Sequence, residues 1–130
     1  MLVEEIRKQE ARTSAEIRVC VTDKLVFRPQ RFAWRLFDDI GMRNTRERNA
    51  ALIVMMARVK KIVVVGDKAV HDRGGNSYWE KTVTAMVREM HTSGPLGSIR
   101  EGLRRLGDTL AAHWPSKGDD INELPDEILK

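Results

Sequence analysis

Six polar residues stand at the edges of apolar runs, where side chains can meet outside a sheet. They are Glu16, Arg48, Asn49, Asp67, His71 and Asp72. Glu16 opens one strand-like run, Asn49 precedes a second, and Asp67 closes a third that runs antiparallel. That arrangement collects them at one end of a sheet. Ligands of α/β folds bind in crevices at strand ends. Asp67, Asp72 and Glu16 are then the carboxylates for a weak divalent-cation site, with Arg48, Asn49 and His71 lining a pocket. Converging oxygen and imidazole donors suit such ions. The same positions also have a structural reading. Gly66-Asp67 makes a turn and caps the next loop, and Arg48 pairs with Glu16 or Asp67.

Arg43, Arg46 and Arg48 crowd one connector. Guanidinium groups grip phosphate oxygens in pairs, so this connector is also a candidate phosphate fork. No nucleophile elbow, phosphate-cradling glycine loop or Cys-x-x-Cys pair is present. Cys20 falls inside an apolar run and reads as an inert buried thiol. His113 reads as a helix-ending residue before Pro115, where a histidine suits the dipole.

The elements that must place these residues emerge from periodicity. Residues 2–11 show helical spacing. Residues 16–21 are rich in β-branched residues and read as a strand. Pro29 opens a helix that Gly41 ends. Residues 51–56 and 62–65 are continuous apolar runs, as in strands covered on both faces. The gap of a few residues between them predicts a hairpin. The longer strand–helix–strand segment before it fits a right-handed parallel crossover. Gly74-Gly75-Asn76 reads as a loop, residues 77–91 as a helix, and the segment from Leu96 to about His113 as another after Gly94-Pro95. The order αβαββαα gives a three-layer α/β sandwich with a small mixed sheet.

The chain has 130 residues, one cysteine and a formal net charge of +4. That length suits one domain, with residues 1–115 as the folded body and residues 116–130 as an acidic tail packing on it or trailing from it. A single thiol closes no internal disulfide. No signal peptide is visible and the longest apolar run is far too short to span a bilayer. The expectation is a cytoplasmic protein, a monomer or weak dimer. Charge is uneven: from Lys24 to Lys61, ten Lys and Arg face three acids, whereas residues 116–130 carry five acids against two lysines. A basic middle offers an anionic partner a surface.

Several stretches together carry a family likeness. They are Thr13-Ser14-Ala15-Glu16-Ile17-Arg18-Val19; Gly41-Met42, Thr45 and Arg48-Asn49-Ala50-Ala51-Leu52-Ile53; and Gly66-Asp67-Lys68 with Trp79. Later come Gly107, Leu110, His113-Trp114-Pro115, and Asp120 with Asn122 to Ile128. In this order and spacing the chain resembles the TPM domain family, in its short soluble bacterial branch. The family is named for a thylakoid lumen protein, a photosystem II repair protein and an animal receptor modulator. The resemblance implies a Rossmann-like αβα sandwich, calcium binding in some members, and acid phosphatase activity in the plant branch. Members often carry an acidic pair in the hairpin loop. This chain has Arg58 and Val59 there, followed by Lys60 and Lys61. Calcium takes about six to eight oxygen ligands, so this loop offers it repulsion instead.

The sequence reading is therefore a non-catalytic binding or interaction domain of the TPM type, with calcium or another divalent cation as candidate ligand and a protein as candidate partner. The alternatives are a divalent-cation-dependent phosphatase and a nucleic-acid-binding module that uses the basic middle.

Overall fold

A strand covered on both faces needs no polar alternation, and the run Ala51–Met56 shows why. It forms β2, an inner strand of the sheet, with every residue buried. The computed structural model describes residues 2–116 and 128–129. Their elements, in chain order, are α1 (Leu2–Glu10), β1 (Ile17–Thr22), α2 (Pro29–Asp39), β2, a 3-10 turn (Ala57–Val59), β3 (Lys61–Gly66), α3 (Lys68–His113) and β4 (Ile128–Leu129).

The sheet order is β3-β2-β1-β4. β1 and β2 run parallel, with Ile17 opposite Ala51 and Thr22 opposite Met56. β3 returns antiparallel, pairing Lys61 with Met56 and Gly66 with Ala51. The parallel crossover through α2 and the β2–β3 hairpin are both as the sequence predicts. β4 adds a short parallel strand on the other side, with Ile128 opposite Val19. The rest of the expected acidic tail, residues 117–127 and 130, lies outside the described residues.

Alternate side chains of the strands feed two cores. Ile17, Val19, Ala51, Ile53, Met55, Ile62 and Val64 join Ile6 of α1 and Met86, Leu103 and Leu106 of α3. Cys20, Leu52, Val54, Met56 and Val65 join Ala33 and Phe37 of α2 and Met42 beyond it. The molecule is thus the three-layer sandwich expected, with α1 and α3 on one face and α2 on the other. Burying a side chain such as Phe37 contributes about 1.5–3 kcal/mol.

α2 starts with Pro29 in its first turn, where a missing N–H costs nothing. It stops where Gly41 turns left-handed, at φ 77°. The N–H of Met42 then reaches the carbonyl of Phe37 at 3.1 Å, and that of Gly41 reaches Asp38 at 3.1 Å. These two bonds satisfy carbonyls that the helix end leaves open.

α3 departs from the sequence reading in its first part. The helix begins at Lys68 and includes Gly74-Gly75-Asn76, which the sequence reading made a loop. Two adjacent glycines each cost about 1 kcal/mol in a helix interior, so propensity argues for a loop. The cap at Asp67 and the seating of Val70 and Trp79 in the core hold the helix on either side of them.

α3 does not continue straight. Gly94 takes φ 76°, and the Ser98 hydroxyl donates to the carbonyl of Met86 at 2.7 Å. In a straight helix twelve residues span about 18 Å. The chain therefore doubles back at Gly94-Pro95, and the second arm returns along the first. Gly102 lets the arms touch: a Cβ there would collide with the Met86 sulfur. The two helices expected on either side of Gly94-Pro95 are these two arms.

Candidate functional site

Asp67 comes directly after β3 and is wholly buried. Arg48 Nε donates to its Oδ2 at 2.8 Å and Arg48 Nη2 to its Oδ1 at 2.9 Å. The Lys68 N–H donates to Oδ1 at 2.7 Å, which makes Asp67 the N-cap of α3. Arg43 Nη1 stands 3.6 Å from the same oxygen. The two guanidinium groups and one amide therefore surround both carboxylate oxygens.

Arg48 also acts through its backbone. Its φ is 52°, in the left-handed region, and its carbonyl accepts the Ala69 N–H at 3.0 Å. The His71 N–H goes to the Asp67 carbonyl at 3.0 Å. The N–H groups of Lys68 and Ala69, which no preceding helical turn could serve, thus already have partners. Helix starts without such partners attract anions; this one is closed by the protein itself. The carboxylate of Asp67 holds the Arg48 guanidinium above its ordinary pKa, by hydrogen bond first and by charge second.

Arg43 links this junction to α2. It pairs with Asp38 and lies over the rings of Trp34 and Phe37, 5.4 Å and 5.6 Å from their centroids. Its cation–π contacts and ion pairs commit it to packing. The connector of three arginines is therefore not an open phosphate fork at Arg43 and Arg48.

The other candidates are near in register. The Asp67 N–H donates to the Ala50 carbonyl, and the Ala51 N–H to the Glu16 carbonyl, each at 2.9 Å. Glu16, Asn49 and Asp67 thus share one end of the sheet. Glu16 and Asn49 are buried, and the Asn49 amide lies 3.5 Å from the Ser14 hydroxyl. His71 and Asp72 are exposed on the first turns of α3.

That shared end is the one from which β1 and β2 set out, because the two strands begin at Ile17 and Ala51. The crevice rule refers to the opposite end, where parallel strands finish. Strand direction is the reason: a residue that precedes a parallel strand lies at its amino end. Among the described residues, no three His, Cys, Asp or Glu side chains come together as a metal site would need. A calcium ion wants about six to eight oxygens, and the oxygens of Asp67 already accept from cationic donors. The described residues do not fit such an ion.

The carboxyl end of β1 and β2 looks different. Thr22, Met56 and Lys61 stand side by side there. The β1–α2 loop and the β2–β3 turn leave from these neighbours, with strands about 4.8 Å apart. Phe27 in the first is 94% exposed and Leu25 is 65% exposed; Val59 in the second is 41% exposed. Lys24, Arg28, Arg58, Lys60 and Lys61 flank them along the chain, all exposed. Arg28 is the N-cap position of α2 and makes no side-chain capping bond. Sequence reasoning overlooked the apolar part of this surface. Its signal was Leu25-Val26-Phe27 inside a loop between a lysine and an arginine, where loops are ordinarily polar.

Comparisons with known proteins agree with this architecture. The TPM domain matches over residues 1–109. No curated protein matches the chain. An NMR structure of BA42 protein from the psychrophilic bacterium Bizionia argentinensis superposes with a TM-score of 0.90 at 31% identity. The alignment covers 98% of this chain and 88% of that one.

Proposed function

Because this chain belongs to the TPM domain family, we propose that it is a non-catalytic binding domain that works through the carboxyl end of β1 and β2. The observation that carries this reading is the exposure of Phe27 and Leu25 among cations. Water-facing apolar side chains in loops that leave one end of a sheet, amid cations, mark an interaction surface. The buried carboxylate at the other end supports the same reading. A general acid or base must be within hydrogen-bond reach of a substrate proton, and both oxygens of Asp67 are turned to Arg48 and to the start of α3.

Two assays on the whole chain test the reading. Phosphomonoester hydrolysis is followed with calcium, magnesium or manganese present. Amide chemical shifts are followed through a calcium titration, with magnesium as control. The expected results are no phosphate release and no saturable shifts at Asp67 to Asp72. Metal-dependent phosphate release that Asp72→Asn abolishes would overturn the reading in favour of the divalent-cation-dependent phosphatase.

A further inference from the structure

We propose that the carboxyl end of the sheet docks on an anionic phospholipid surface, with Phe27 and Leu25 entering the headgroup region. The inference rests on the binding-domain reading and names its partner. No helix among the described residues is long and apolar enough to cross a membrane, so the contact is one of lying on the surface.

Three features of the patch select this partner. The first is its chemistry. Apolar tips ringed by Lys and Arg are how a protein rests at a lipid interface, with the tips in the acyl boundary and the cations at the phosphates. Lys24 and Arg28 flank the first tip, and Arg58, Lys60 and Lys61 flank Val59 in the second. Asp23 is the lone acid within the two loops. Among the described residues, none of these five cations takes part in an ion pair.

The second feature is geometry. The register starts both loops at one end of the sheet, so both leave toward the same side of the molecule. The third is size. Three apolar tips are far short of the ~800 Å² per partner that a stable protein interface buries, whereas interfacial docking needs only tips and charge. Nucleic acid would use the cations but not a phenylalanine left 94% exposed in a loop. Single-strand binders instead stack bases on aromatics set within a basic groove.

The test is sedimentation of the whole chain with vesicles of phosphatidylcholine, with or without phosphatidylglycerol. The chain should sediment with anionic vesicles only, and less as salt rises. Phe27→Ser should weaken binding about tenfold, the scale of one apolar ring withdrawn from the interface. Lys60→Glu should weaken it at least about fivefold, since each juxtamembrane cation is worth about that factor. Both side chains face water, so both variants keep the fold, which circular dichroism checks. No sedimentation with anionic vesicles overturns the proposal. So does binding unaffected by Phe27→Ser, or binding to a single-stranded oligonucleotide in place of vesicles. Those failures, with no phosphate release, remove the lipid assignment alone; metal-dependent phosphate release removes the binding-domain reading beneath it.

Discussion

Arg48 and Asp67 form a two-pronged ion pair, at 2.8 Å and 2.9 Å, that ties the end of the α2–β2 connector to the first residue before α3. Both residues also bond the helix start, Asp67 through its side chain and Arg48 through its carbonyl. The pair is therefore a fastener for α3. Asp67→Ala should lose the cap, about 1 kcal/mol, and leave Arg48 without its acceptor. Arg48→Ala should also destabilise, since it strands a buried carboxylate. The two losses should fall short of additive in urea unfolding, because each variant already breaks the shared pair. Strict additivity would show that the two residues act separately.

Gly66 tests the packing beside that fastener. A Cβ there would meet Val70 at 2.8 Å and Trp79 at 2.9 Å. Both neighbours belong to α3 and are seated in the core, so they have little room to retreat. Gly66→Ala should therefore cost about 1–3 kcal/mol, the usual scale of overpacking. An unchanged urea midpoint would mean that the helix start shifts freely.

At Gly94 the sign of the effect decides the geometry. In a straight helix, Gly→Ala stabilises by about 1 kcal/mol. At φ 76° an alanine is strained, so Gly94→Ala should destabilise by about 1–2 kcal/mol. A rise in the melting temperature would contradict the reversal of α3.

Cys20 gives a pH-dependent test. Its thiol is held above the ordinary range by burial, with the charge of Lys24 the smaller, opposing influence. The unfolded chain then loses this proton at lower pH than the folded one. The stabilisation is complete below the unfolded pKa and is lost as pH rises toward the folded value. Stability should fall on the alkaline side, above about pH 8.5, and Cys20→Ala should flatten that slope relative to the parent. The native thiol should react with a disulfide reagent only as fast as the protein unfolds. Prompt reaction at neutral pH would show that the β1 core opens locally.

Local patterning was enough to set β1 to β3, α2 and the layer order. The runs at 51–56 and 62–65 have the length and β-branched content of buried strands, and Pro29 and Gly41 bracket α2 through their own backbone limits. The residue order also carried the family, because motifs spread from Thr13 to Gly107 keep their spacing. It foresaw that Asp67 ends a strand and that Arg48 is a natural partner for it.

Packing across the molecule decided where those residues sit and what they bond. Whether Asp67 faces a ligand or a guanidinium depends on how a connector 19 residues away folds back, which no local pattern encodes. Strand direction put Glu16 and Asn49 at the amino end of β1 and β2 and the loops after Thr22 and Met56 at the carboxyl end. The helix through Gly74-Gly75-Asn76 is another such case, since capping and core contacts on either side outweigh two unfavourable propensities. Phe27 is the clearest. Its residue type argues for the core, and only the path of the chain leaves it in water, because α2 begins two residues later and turns its apolar face, with Ala33 and Phe37, toward the sheet.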